Sequence, residues 1–287
     1  MKVLRNVQEA LEFTKGNYQK SVGLVPTMGF LHAGHKSLID EARKNNDIVV
    51  VSIFVNPTQF GPGEDYESYP RDEERDFKLC EEAGVDAVFT PDPKEFYQNH
   101  KTYVTIEDLK DNLCGKTRPI HFRGVLTVLT KLFNIFRPTR AYFGRKDAQQ
   151  FLIVKKAVKD LNFGIEIVPC PIKREEDGLA ISSRNVYLSD EERKAAPVLH
   201  RALEKGRAAM TKGMKAEDLI KIIEDEIKTE KLADIEYVQV VDTEEIKDMD
   251  VIDRDCLVAL AVRFGTTRLI DNFFLRGVNC LEKFHFI

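Results

Sequence analysis

Val22-Gly23-Leu24-Val25-Pro26-Thr27-Met28-Gly29-Phe30-Leu31-His32-Ala33-Gly34-His35-Lys36-Ser37-Leu38 opens as an apolar run, passes a glycine-bearing loop and continues as a helical pattern whose first turn holds two histidines. Strand, loop and helix in that order form the repeating unit of a parallel α/β sheet. Working outward, the runs 48–55, 85–89, 141–143 and 165–168 read as further strands. Several are nearly all apolar, as strands covered on both faces must be. Helical patterns lie over 34–45, 70–83, 123–136 and 147–161. After Ile172 the regularity changes, and the charged, glycine-ended stretch Lys173-Arg174-Glu175-Glu176-Asp177-Gly178 places a domain boundary between 1–173 and 174–287. The second part reads as a smaller α+β domain, with helices over 190–211 and 215–229 and strands over 235–241, 256–262 and 267–273. Phe264-Gly265-Thr266-Thr267 suits a tight turn between the last two.

The composition, 43% hydrophobic and 31% charged over 287 residues, is that of an ordinary globular chain. No apolar window is long enough to cross a bilayer, and the opening Met1-Lys2-Val3-Leu4-Arg5-Asn6 lacks a signal-peptide core, so a cytoplasmic, membrane-free protein is expected. A net charge of -4 with dispersed lysine and arginine disfavours a nucleic-acid surface. Cys80, Cys114, Cys170, Cys256 and Cys280 are odd in number, widely spread and without a C-x-x-C pair, so neither a zinc knuckle nor a disulfide framework is indicated and they read as reduced, mostly buried thiols.

Chemistry concentrates at the ends of the expected strands, where ligands of open α/β sheets bind. Backbone N–H groups and the dipole at a helix start attract phosphate, His32 and His35 add directed donors, and Gly34 permits close backbone approach. Core histidines or a metal pair are the alternatives, although no third ligand at familiar spacing accompanies them. Neither a G-x-G-x-x-G nor a Walker loop is present. Asn56 and Gln59, after the second of these strands, offer amides to a hydroxylated acid, or form a plain turn. Gly144-Arg145-Lys146-Asp147 brings a lysine to a helix start with Gln150 one turn on, where a solvated cap is the alternative. Ile181-Ser182-Ser183-Arg184 offers two hydroxyls and a guanidinium to a leaving pyrophosphate, or is a helix cap.

Together these clusters resemble the pantothenate synthetases (pantoate-beta-alanine ligases) of the HxGH nucleotidyltransferase superfamily. The resemblance rests on P-T-M-G-x-L-H-x-G-H at 26–35, F-V-N-P-x-Q-F at 54–60, Y-P-R at 69–71, F-R-G-V at 122–125, K-L-F-N at 131–134, F-G-x-K-D at 143–147 and D-G-L-A-x-S-S-R-N at 177–185. It implies a Rossmann-like domain followed by a smaller lid, a homodimer, and ATP-dependent condensation of (R)-pantoate with beta-alanine through a pantoyl adenylate, with Mg2+ on the phosphates. By the same resemblance Pro26, Thr27, Met28, Gly29, Phe30, Leu31, His32, Ala33, Gly34 and His35 line ATP. Gly144, Arg145, Lys146, Asp147, Lys173, Ile181, Ser182, Ser183 and Arg184 complete that site. Gln59 and Gln150 hold pantoate, Gln59 also meets beta-alanine, His35 matches the proton donor, and Asp76 lies near magnesium. His32, Lys146, Ser182, Ser183 and Arg184 join His35 as catalytic residues. Arg145, Ala148 and Ile181 depart from the residues usual in the family, and none of these changes removes a charged or amide group that the mechanism needs. The stretch 276–287 runs past the family pattern. Two other functions compete: nucleotidyl transfer to a phosphorylated acceptor, which calls for more basic residues, and a non-catalytic nucleotide sensor.

Overall fold

The computed structural model describes residues 1–276 and 285–286, so Cys280 and nearly all of the 276–287 stretch lie outside the described residues. Strands β1 (Lys2–Leu4), β2 (Val22–Thr27), β3 (Ile48–Ile53), β4 (Ala87–Phe89), β5 (Arg140–Gly144) and β6 (Glu166–Cys170) form one parallel sheet in the order β1-β4-β3-β2-β5-β6. The central pair is in register from Val22 opposite Ile48 to Thr27 opposite Ile53. Alternation divides each buried strand between two cores. Leu24, Val50 and Phe89 face the helices His121–Phe136 and Ala148–Asp160, whereas Val25, Val49 and Val51 face Ala33–Asn45 and Glu73–Glu82. From β2 the chain crosses to β3 on one side, and β5 pairs on the other. The carboxyl ends of β2 and β5 therefore diverge at a switch point, where such sheets form a crevice.

The second sheet is antiparallel: β7 (Ala233–Asp242), β8 (Cys256–Phe264) and β9 (Thr267–Arg276), with β10 (His285–Phe286) paired along β9. Phe264 lies opposite Thr267 and Gly265 has φ +55°, so the expected tight turn is a two-residue hairpin. Helices Val198–Ala209 and Ala216–Ile227 bury Leu199, Leu203, Leu219 and Ile223 against Val240, Val258 and Leu260 of one face. Val241, Leu257, Ala259 and Phe274 join the core of the first sheet. The architecture is thus a Rossmann-like α/β sheet followed by a smaller α+β part.

The elements differ from the sequence expectation in a few places with clear causes. The helix expected over 190–211 is two helices, Asp190–Ala195 and Val198–Ala209, because Pro197 has no N–H for the preceding turn. Helix Glu73–Glu82 begins only after Asp72, whose side chain accepts from the Arg75 N–H. The edge strand β1 and helix Val7–Gly16 were not anticipated; β1 is three residues long with two exposed positions, too short to show a period.

Helix His121–Phe136 crosses the Asn56–Gln59 turn so closely that a Cβ on Gly124 would stand 2.3 Å from the Thr58 carbonyl oxygen and 2.5 Å from Gln59 Cα. Both neighbours are backbone and cannot step aside cheaply. Gly124→Ala is expected to cost about 1–3 kcal/mol of stability through overpacking. A lowered urea midpoint would agree with this, and an unchanged midpoint would show that the turn gives way.

Candidate active site

The loop after β2 is held in a conformation that its sequence alone does not prefer. Gly29 and Phe30 both have positive φ, +84° and +49°, and the second is uncommon for an aromatic residue. The Asp76 carboxylate, 1% exposed, accepts the Phe30 N–H at 2.7 Å and the Leu31 N–H at 2.6 Å. Burial pushes its pKa up and the two backbone donors pull it back. Arg75, one residue earlier, donates to the Leu31 carbonyl at 2.7 Å and lies 4.7 Å from the centre of the Phe30 ring. Thr27 Oγ1 accepts from Gly29 N–H and donates to the Ser52 carbonyl, tying the loop to β3.

The braced loop delivers His32 as the N-cap of helix Ala33–Asn45. The His32 N–H donates to His35 Nδ1 at 3.3 Å, so the His35 proton sits on Nε2. The two rings stack with centroids 3.9 Å apart. A Cβ at Gly34 would come within 2.9 Å of the His32 ring, which gives this glycine a packing role besides backbone access. Burial, reinforced by Lys146, lowers His32 to about 4. Burial and His32 hold His35 well below 6.5. At neutral pH both are uncharged, so His35 offers a hydrogen bond and becomes an acid only if a bound anion restores its pKa.

Gln59 is buried against this loop: its Nε2 donates to Met28 Sδ at 3.0 Å and its Oε1 accepts from Asn56 Nδ2 at 3.0 Å. His121 Nδ1 donates to the Gln59 carbonyl at 3.0 Å and its Nε2 accepts from Arg118 at 3.3 Å. This support was not singled out from the sequence, although His121 stands directly before the quoted F-R-G-V motif.

A cavity of about 220 Å3 sits at the switch point. Pro26, Thr27, Met28, His32, Gly34 and His35 line one wall, Gln59 and Gln150 another. Gly144, Lys146 and Asp147 reach it from β5, and Lys173, Ile181, Ser182, Ser183 and Arg184 from the stretch that follows β6. Gly29, Phe30, Leu31, Ala33 and Arg145 shape the backbone without lining it. A cleft of about 810 Å3 adjoins it, sharing Arg118, His121, Lys146, Asp147, Gln150, Ser182 and Arg184 and extending to β8 and β9.

Ser183–Tyr187 is a short 3-10 helix capped by Ser182, whose Oγ accepts the Arg184 N–H at 3.3 Å, so the capping alternative is realised. Burial raises the Tyr69 hydroxyl above its ordinary value, and Ser183 and Arg184 pull it back. Arg184 is paired bidentately with Asp65 at 2.8 and 2.9 Å, and Arg118 with Glu64. Sequence reading missed both acids, which are separated from their partners by more than 50 residues. Among the described residues no group of three or more His, Cys, Asp or Glu side chains forms a metal cage. Asp76 is directed at the loop backbone, whereas Asp147 stands on the cavity wall.

A histidine-capped helix at the switch point of a parallel sheet places the chain among the α/β nucleotide-binding proteins. Comparison with known proteins narrows the class. The family model for pantoate-beta-alanine ligase matches residues 1–274, and the chain belongs to that family. It is 56% identical over 276 residues to a pantothenate synthetase of Acetivibrio thermocellus, covering 95% of this chain and 98% of the relative. With that of Clostridium novyi it shares 58% over 258 residues, covering 89% and 91%. The crystal structure of pantothenate synthetase from Thermus thermophilus superposes with a TM-score of 0.90 at 45% identity, covering 95% and 98% of the two chains. The pantoate-beta-alanine ligase from Francisella tularensis, complexed with beta-gamma ATP and beta-alanine, gives 0.80 at 34% identity, covering 95% and 97%.

The histidines also make a prediction about pH. Burial and Arg118 lower His121 to about 3, and His32 lies near 4, against an ordinary value of 6.5. Below pH 6.5 the unfolded chain therefore takes up protons that the folded chain refuses, and stability falls as the pH drops toward the folded values. Urea midpoints measured from pH 7 to 4 should decline, with a shallower decline in His121→Asn. Parallel curves for the two proteins would mean that His121 does not carry the effect.

Proposed function

We propose that this chain condenses (R)-pantoate with beta-alanine to give pantothenate, AMP and pyrophosphate, with ATP as the energy-supplying substrate and a pantoyl adenylate as the intermediate. The observation that carries the reading is the meeting, around one cavity, of His35 and Lys146 with the amides of Gln59 and Gln150. Amides suit a neutral hydroxyl and a single carboxylate, whereas a phosphorylated acceptor would need further cations.

The pantoate carboxylate attacks the α-phosphorus and adds charge to an anionic centre. The helix start, the His32 and His35 rings, the Lys146 ammonium and the Ser182 and Ser183 hydroxyls stabilise that charge by prior orientation. Arg184 exchanges Asp65 for phosphate oxygen. The beta-alanine amine then attacks the acyl carbon, AMP leaves, and no covalent enzyme intermediate is needed. Bound Mg2+ would shield the phosphate charge, held by phosphate oxygens, water and the Asp147 carboxylate, as suits an ion that keeps much of its hydration.

Residues 174–287 act in this reading as a domain that closes over the site laid down by 1–173, in a homodimeric enzyme. Among the described residues no helix is long and apolar enough to cross a membrane.

The route of the oxygen atoms tests the chemistry. Pantoate carrying heavy oxygen in its carboxyl group should leave one labelled oxygen in AMP after beta-alanine is added. Unlabelled AMP, or label in orthophosphate, would mean that the γ-phosphate is transferred instead and would overturn the adenylate.

A further inference from the structure

Strand β9 touches both of the turns that face the proposed phosphates, and does so with two adjacent polar residues. Asp271 and Asn272 are only 2% and 4% exposed. Strand alternation puts them on opposite faces: Asn272 with Phe274 toward the core of the first sheet, Asp271 with Leu269 and Phe273 toward the helices of the second.

Asn272 Nδ2 donates to the carbonyl of Arg145 at 3.0 Å and to that of Lys146 at 2.9 Å. An amide nitrogen has two N–H groups, so one side chain satisfies two consecutive carbonyls of the one-turn helix Arg145–Asp147. The amide orientation follows, since an oxygen in that position would face two carbonyl oxygens. Asn272 Oδ1 is buried without a hydrogen-bond partner among the described residues. An orphaned acceptor opposes folding, so only the bonded half of the amide contributes favourably, and what it holds is the Lys146 turn.

Asp271 holds the other turn indirectly. Its carboxylate accepts from Arg174 Nη1 at 2.6 Å and Nη2 at 3.0 Å, and the same guanidinium donates to the Gly178 carbonyl at 3.1 Å. Arg174 is bridged to Ala180, and the Ile181 N–H donates to the Lys173 carbonyl. A closed hairpin therefore runs straight into Ser182-Ser183-Arg184. The Asn272 N–H donates to Asp271 Oδ1 at 2.7 Å, which locks the two anchors together.

We infer that Asp271 and Asn272 are positioning residues for adenylation: Asn272 sets the Lys146 turn, Asp271 sets the Ser182–Arg184 loop through Arg174, and β9 thereby fixes the spacing between the two halves of the phosphate site. This rests on the reading that those two turns face the nucleotide phosphates. Donors oriented before reaction are effective only where the charge develops, so a small shift in that spacing acts on rate more than on binding.

The test is single-turnover pyrophosphate release with ATP and pantoate both saturating, in the full-length protein, for Asn272→Ala, Asn272→Ser, Lys146→Met and the Asn272→Ala/Lys146→Met double variant. Asn272→Ala should slow release by about tenfold to a hundredfold, the scale of a misplaced catalytic group, with pantoate affinity nearly unchanged. Asn272→Ser keeps one donor and should fall between; it serves the same comparison if the alanine variant does not fold. Because the clamp acts through Lys146, the double variant should be no slower than Lys146→Met alone. A folded Asn272→Ala enzyme with the parental rate, or losses that multiply in the double variant, would overturn the positioning role. Lys146→Met at the parental rate would overturn the phosphate reading itself, and the positioning role with it.

Discussion

Two short hydrogen bonds from the backbone of Phe30 and Leu31 to the buried carboxylate of Asp76 are the constraint on which the site depends. They are the two charge-assisted bonds that offset the left-handed backbone at Phe30, and with the Thr27 and Arg75 contacts they hold the turn that places His32 at the helix cap. The carboxylate does what a ligand does at many helix starts: it satisfies donors that would otherwise be buried unpaired. The acid that fixes the loop arrives from helix Glu73–Glu82, on the face of the sheet away from His121–Phe136. The geometry of the histidines is therefore decided by the tertiary fold, not by the His-x-Gly-His stretch alone.

A second theme is the management of charge before any phosphate is bound. The histidines are kept neutral by burial, which avoids gathering several cations around one small cavity. Arg184 and Arg118 are occupied by Asp65 and Glu64 of the 61–69 segment. The bidentate pair with Asp65 fixes the Arg184 guanidinium in one orientation, and in the proposed reaction two phosphate oxygens would take the places of the two carboxylate oxygens. Lys146, in contrast, makes no ion pair with a carboxylate among the described residues, and it is the charge that most directly depresses His32 after burial itself.

The strand-loop-helix reading of 22–38 was legible because each step had a local cause: apolar strand, glycine, helix period. The order of the remaining elements followed for the same reason, as did the hairpin at Gly265. What sequence could not show were contacts between distant residues that local pattern does not encode. Asp76 was placed near magnesium by the family resemblance alone, and the fold shows both of its oxygens accepting backbone N–H groups. Asp65 and Glu64 sat in an unpatterned stretch, and the role of His121 as the prop beneath Gln59 depends on a helix packing angle. Each of the quoted motifs brought at least one residue to the cavity; of those that line no wall, Gly29 to Leu31 shape the loop that carries the histidines.

The most direct measurement of the central claim is the adenylation rate of Asp76→Asn, which preserves shape but turns one acceptor into a donor facing backbone N–H. If the carboxylate acts by pinning the loop, pantoate-dependent pyrophosphate release should fall by about a hundredfold, and excess magnesium should not restore it, because the defect lies in the placement of His35. A parental rate in that variant, or recovery on raising magnesium, would contradict the account.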